Sequence, residues 1–401
     1  MPPDCRTMND PLSYDFVVPP KIVFGWGRRR DVGALGRTLG RRAMVLSGLP
    51  PAVATDVLGE IRELLFTADI EPTLVETILH EPEVQDVDRV ARKLRASGAG
   101  RGCFLLAIGG GATIDLAKAA AVVATNWQSP TVADYLENVG RGLKIVEPPL
   151  PVLAMPTTAG TGAEATRNAV ISSYDPPFKK SIRDDRILPR IALVDPELTV
   201  SVPPRVTAAS GMDAITQLIE SYISRKAQPI PQALAVQGLL LGVAAIAEAV
   251  ENGKSRTARE RMSHAALLSG MSLANSGLGL AHGVAPALGI HCRVPHGLAC
   301  AVMLPAALRI NREVRQAELA TLARQLFGMP AQTPDGEAVD AFIEQIEALC
   351  HRIGVPRRLA DLGVRHDQIP DLVKSSRGQS MSGNPREVSD PELARLLEKM
   401  L

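Results

Sequence analysis

The chain has 401 residues, 46% hydrophobic and 22% charged, which is long enough for two domains, rich enough in apolar residues to bury their cores, and outside the disordered class. Its 44 basic and 43 acidic residues leave a formal charge of +1, and no dense Lys/Arg tract occurs, which excludes an electrostatic nucleic-acid binder and favours a small-molecule substrate. Five separated cysteines, Cys5, Cys103, Cys292, Cys300 and Cys350, contain no Cys-x-x-Cys pair; they argue against a disulfide framework or a cysteine zinc site and for a reducing cytoplasm.

Residues 1–20 lack the apolar core of a signal peptide, and Met8 is an alternative start. From there the N-terminal half alternates β-branched runs with amphipathic stretches, the pattern of a parallel sheet wrapped by helices. The predicted strands are 21–25, 43–47, 73–78, 103–108, 152–156 and 191–195, with a helix over 84–96 where Val84, Val87, Val90, Ala91 and Leu94 recur at helical spacing. Beyond residue 199 the strand signals stop and Ala/Leu-rich segments take over, Pro203, Pro204 and Thr207 marking a helix start. The expected fold is an α/β dinucleotide-binding domain over 1–199, followed by an all-α domain over 200–401. The most apolar stretch, 233–250, is interrupted by Gln237 and Glu248, which predicts a buried helix in a soluble protein.

Gly109, Gly110 and Gly111 follow the run 103–108 and open a helix over 112–124. A strand, a glycine turn and a helix start bring bare backbone N–H groups to an anion, as in pyrophosphate binding; a plain tight turn is the alternative. Asp115 and Lys118, on that helix, read equally well as an exposed charge pair. A second small-residue loop, 156–164, contains Thr157, Thr158 and Thr161 and again follows a predicted strand, so the two loops together point to a nucleotide site rather than to two polar turns.

In the helical half Asp213 and Gln217 are four residues apart and share a helix face. His282 and His296 each precede a glycine. One carboxylate with two imidazoles suffices for a divalent metal with open positions, although a buried histidine satisfied within the core is the commoner arrangement.

The segments GGGATIDLAK (109–118), PTTAGTGAE (156–164), DPELT (195–199), GMDAITQLIESY (211–222), GLAHGVAPALG (279–289) and PHGLACAVMLP (295–305), in this order, resemble the iron-containing, or group III, alcohol dehydrogenase family. The resemblance runs from about Pro20 to the Gly383-Asn384-Pro385-Arg386 motif. It implies a nicotinamide-binding N-terminal domain, a helical C-terminal domain, a divalent metal, iron or zinc, in the cleft between them, and a homodimer. By position it assigns Gly109, Gly110, Gly111, Asp115, Thr157, Thr158 and Thr161 to the dinucleotide, Lys180 to the nicotinamide ribose, and Asp213, His282 and His296 to three of four metal ligands.

Two positions depart from the family pattern: Gln217 stands where the fourth ligand is a histidine, and Pro286 where a further histidine is usual. A neutral amide is a weaker ligand than imidazole, so Gln217 is expected to leave the metal loosely held, and His291 is the candidate proton-relay imidazole in place of Pro286. The related glycerol dehydrogenases and dehydroquinate synthases use a carboxylate and two histidines, whereas maleylacetate reductases work without metal. A metal-assisted NAD(P)-dependent alcohol dehydrogenase or aldehyde reductase is therefore the expected function, with a metal-independent reductase, a dehydroquinate-synthase-like lyase and a weakened binding protein as rivals. Gly48 ends the second strand where NAD-preferring members often carry an aspartate, and its lack of charge predicts that NADPH is accepted alongside NADH.

Overall fold

The computed structural model describes residues 13–401, so Cys5 and Met8 lie outside the described residues. Six strands form one all-parallel sheet: β1 (Lys21–Phe24), β2 (Arg42–Ser47), β3 (Glu71–Thr77), β4 (Cys103–Gly109), β5 (Val152–Pro156) and, after a separate hairpin, β8 (Ile191–Val194). Their order across the sheet is β1-β8-β5-β4-β2-β3. These are the six expected strands. Every residue of β4 is buried, which is why it reads as an unbroken apolar run rather than an alternating one.

Helices α1 (Val32–Gly36), α2 (Pro51–Thr67), α3 (Val84–Ala96) and α4 (Gly111–Thr125) connect the strands. Val87, Val90, Ala91 and Leu94 form the buried stripe of α3. Helix α4 is instead buried nearly all round, because it lies between the sheet and the antiparallel hairpin β6 (Asn168–Tyr174) and β7 (Pro177–Arg183). The hairpin was not among the predicted elements.

The chain leaves β2 toward β3 and leaves β4 toward β5, in opposite directions across the sheet. The carboxyl ends of these two neighbouring strands, at Gly48 and Gly109, therefore flank the topological switch point, where open α/β sheets bind ligands.

From residue 204 onward the described chain is helical: α5 (Pro204–Ile223), α6 (Pro229–Glu251), α7 (Arg256–Ala274), α8 (Leu280–Cys292), α9 (His296–Asn311), α10 (Gln316–Phe327), α11 (Asp335–Arg352), α12 (Ile369–Ser375), α13 (Gln379–Ser382) and α14 (Asp390–Lys399). Helix α6 has the length and apolarity of a membrane span, but it packs against α5 and α7 through buried Ala235, Leu239, Ala245, Ile246 and Ala249. On α5 the core takes Met212, Ile215, Leu218 and Ile219. That leaves Asp213, Gln217 and Glu220 on another stripe of the same helix, spaced i, i+4, i+7.

Candidate functional site

A cavity of about 370 Å³ lies between the glycine turn, the β6–β7 hairpin and the helices α5, α8 and α9. Gly111, Asp115, Thr161, Lys180, Gln217, His282 and His296 all line it, as does Pro286. At its sheet end the two small-residue loops interlock. Thr157 N–H donates to Gly109 O at 3.0 Å, and a Cβ on Gly111 would collide with Thr161 Oγ1, so glycine is what permits the loops to close. Thr158 packs on Gly110, and Gly48 faces Gly109 across the switch point. These residues form the crevice beside the cavity.

Asp115 and Lys118 are not the exposed pair the sequence allowed. Lys118 is wholly buried, with Nζ donating to Ala163 O (2.8 Å), Thr166 Oγ1 (3.0 Å) and Asn168 O (2.6 Å) and lying 3.1 Å from Asp115 Oδ1. It ties α4 to the second loop and to the start of β6. Asp115 Oδ2 accepts from Val170 N–H at 3.0 Å, which binds the same helix to the hairpin.

At the helical end, Asp213, His282, His296 and Cys300 bring their ligand atoms within 4.8 Å of one another. His282 Nε2 lies 3.3 Å and His296 Nε2 3.7 Å from Asp213 Oδ1. Asp213 and His282 are only 2% and 3% exposed. Asp213 Oδ1, His282 Nε2 and His296 Nδ1 have no hydrogen-bond partner. Burying such groups unpaired is costly, and two of these atoms, Asp213 Oδ1 and His282 Nε2, face one another; a cation between them removes that cost. The residues present therefore fit a divalent metal.

The chain builds this cluster from two close approaches. Gly297 rests against Ala209, where a Cβ would stand 2.5 Å from the backbone oxygen and 3.3 Å from Asp213 Cβ; the missing side chain lets α9 press its first turn onto α5. Glu220, one turn beyond Gln217, accepts from Ala281 N–H (2.7 Å) and from His282 Nδ1 (2.7 Å). A carboxylate at Nδ1 holds a proton there, so Nε2 is the ring nitrogen left to face the cluster and to bind a metal once its own proton leaves. Sequence reasoning missed Glu220, although its i+7 spacing from Asp213 was a usable signal.

The electrostatics are strongly coupled. Burial pushes the His296 imidazole down to about 4 against the pull of Asp213, with Lys179 and His282 adding to the shift. Burial also lowers His282, but Cys300, Asp213 and Glu220 together hold it well above its ordinary value. Asp213, against its burial, is held below the usual carboxylate range by His296 and His282. Burial pushes the Cys300 thiol up to about 12.

At three of the expected positions the structure shows partners that the sequence did not. Gln217 donates its amide to Thr161 O (3.0 Å) and Ser269 Oγ (2.9 Å). It thereby straps α5 and α7 to the cofactor loop, and Cys300 adds a sulfur to the donor group of Asp213, His282 and His296. His291 does not line the cavity; its Nε2 pairs with Ser375 Oγ at 2.8 Å, because it sits in the last turn of α8, on a side turned toward α12. Lys180 does line the cavity, but its neighbour Lys179 makes the closer connection. Lys179 Nζ lies 2.7 Å from Glu81 Oε2 with its side chain 6% exposed, and its charge acts on both His296 and Asp115. Lys179 and Lys180 both line the cavity, and it is Lys179 whose charge is paired with Glu81 there.

Residues 19–196 match the family model described as iron-containing alcohol dehydrogenase, and residues 207–401 match that of the Fe-containing alcohol dehydrogenase family, C-terminal. The NAD-dependent methanol dehydrogenase of Bacillus methanolicus is 30% identical over 397 residues, covering 96% of this chain and 100% of that one. Lactaldehyde reductase of Escherichia coli (strain K12) is 32% identical, covering 92% of this chain and 96% of the relative. A crystal structure of 1,3-propanediol oxidoreductase superposes with a TM-score of 0.90 at 29% identity, covering 97% of this chain and 100% of that one.

Proposed function

The chain belongs to the iron-containing alcohol dehydrogenase family, and on that premise we propose that Asp213, His282 and His296 hold its divalent metal while the loops at Gly109–Gly111 and Thr157–Thr161 hold the dinucleotide. Its activity is that of an NAD(P)-dependent alcohol dehydrogenase and aldehyde reductase. When bound, the metal polarises the substrate oxygen and the nicotinamide exchanges the hydride.

The chain's own residues supply position and protonation state. Glu220 fixes the His282 ring with Nε2 toward the cluster, where a bound metal would take the place of the proton held there, and burial keeps His296 neutral with a lone pair to offer. Lys118 and Gln217 hold the cofactor loop against α4 and α5, which sets the distance between the two ends of the cavity. Lys179, paired with Glu81, places a cation beside His296. The substrate is an alcohol or aldehyde, the relatives' names ranging from methanol and lactaldehyde to long-chain alcohols.

The single observation that carries the assignment is the set of buried, unpartnered donor atoms at the end of the cavity away from the glycine turn. We place the domain division at residues 199/200, between the last strand and α5, with the cofactor loops in one half and the metal donors in the other. Asp213→Ala should then lose bound metal and most turnover while keeping its fold and cofactor affinity. Wild-type turnover in that variant would instead support a metal-independent reductase of the maleylacetate type.

Acceptance of NADPH is part of the same proposal. A Cβ at Gly48 would collide with Thr113 Oγ1, a fully buried group, so the crevice is packed around glycine and carries no carboxylate to repel a 2′-phosphate. Steady-state kinetics should give comparable use of both cofactors, and a hundredfold preference for NADH would refute this. A cytoplasmic homodimer completes the reading. The free thiols Cys103, Cys292, Cys300 and Cys350 suit a reducing compartment.

A further inference from the structure

We propose that Cys300 is the fourth protein ligand of the metal, so that this chain holds its ion in an Asp–His–His–Cys set rather than with three protein donors and a weak amide. The inference rests on the metal site proposed above. Cys300 lies one helical turn after His296 on α9 and is completely buried. Its Sγ is 3.8 Å from His296 Nε2, and it belongs to the group of four whose donor atoms lie within 4.8 Å of one another. Donor atoms bound at ~2.0–2.3 Å to one tetrahedral ion stand roughly 3.3–3.8 Å apart. Three of the six separations, 3.3, 3.7 and 3.8 Å, fall in that range, and all six lie within 4.8 Å.

Two further observations support the thiol. Asp213 Oδ1 and His282 Nε2, both buried, have no hydrogen-bond partner and face the space that Cys300 shares. The residue at the alternative position, Gln217, is held by its amide nitrogen on Thr161 and Ser269, so it already serves as a strap between α5, α7 and the cofactor loop. On metal entry the Cys300 S–H bond breaks, its proton is released to solvent, and the sulfur lone pair forms the bond to the ion; no electron is transferred. A thiolate is a softer donor than the amide it replaces, so the set should favour zinc over iron and retain it firmly. This reverses the expectation of a loosely held metal that Gln217 alone creates.

The test loads full-length protein with cobalt(II) as a spectroscopic substitute and, separately, with zinc. Wild type should show a near-ultraviolet thiolate-to-cobalt charge-transfer band, and zinc-edge X-ray absorption should show one sulfur at ~2.3 Å. Cys300→Ser should lose both signatures, whereas Cys292→Ser, remote from the cluster, should keep them. Should Cys300→Ser fail to fold, the wild-type X-ray absorption spectrum decides by itself. One metal bound per chain with only nitrogen and oxygen neighbours would overturn the role of Cys300 and leave the metal site standing. Failure of both ions to bind would overturn the metal reading and this proposal with it.

Discussion

Replacing Lys118 by methionine keeps the length and apolar stem of the side chain and removes its charge. Three oxygens, Ala163 O, Thr166 Oγ1 and Asn168 O, lose a donor at 2.6–3.0 Å, and Asp115 loses its counter-ion at 3.1 Å. Removing one partner of a buried ion pair costs about 3–5 kcal/mol, much of it the penalty of the charge left behind. Burial already raises the Asp115 carboxyl against the pull of Lys118, so protonation of Asp115 will return part of that penalty. A net loss of roughly 3 kcal/mol is expected, a sizeable share of the 5–15 kcal/mol that typically separates folded from unfolded chains. The same side chain braces Asp115 and the 156–164 loop, so cofactor affinity should fall in parallel. Urea unfolding followed by circular dichroism measures the first effect, and fluorescence titration with NADH and NADPH the second. The double variant Lys118→Met/Asp115→Asn should be more stable than Lys118→Met alone, because it removes the unpaired charge. A Lys118→Met protein within about 1 kcal/mol of wild type, with unchanged cofactor binding, would refute the bracing role.

Glu220→Gln should weaken metal binding by about 10–100-fold by withdrawing the carboxylate that orients His282, read by competition with a chromogenic chelator; unchanged affinity would show that the ring is held by packing alone. Glu164, 3% exposed in the cofactor loop, is pushed up by burial from 4.5 to about 7. Its folded-state value lies above its unfolded one, so between these values the folded state binds more protons and stability falls as pH rises. Glu164→Gln removes that dependence, and the variant should gain on wild type by up to roughly 3 kcal/mol between about pH 4 and about pH 8; a difference independent of pH would mean the carboxyl is not titrating there.

The sheet was legible because parallel strands buried on both faces must be continuous apolar runs, and β4 and β5 are that. The β6–β7 hairpin escaped for the opposite reason. It walls the cavity instead of filling a core, so β7 carries Lys179, Lys180 and Arg183 along with a leading proline, and its composition imitates a loop. Missing the strand also meant missing Lys179, whose charge acts on His296 beside the expected Lys180.

The metal site divides along a similar line. Asp213, His282 and His296 stand at the positions implied by the family resemblance and are brought together, but the choice of a fourth donor used helical spacing only once. One turn after Asp213 comes Gln217, and one turn after His296 comes Cys300; periodicity ranks them equally. Competing partners separate them. The two N–H donors of Gln217 go to Thr161 O and Ser269 Oγ, which gives that side chain a strapping role of its own. A thiol is a poor hydrogen-bond former, and the completely buried Cys300 has its Sγ 3.8 Å from His296 Nε2, in one donor group with Asp213 and His282. Those partners come from helices distant in sequence, and one helix's pattern carries no information about them.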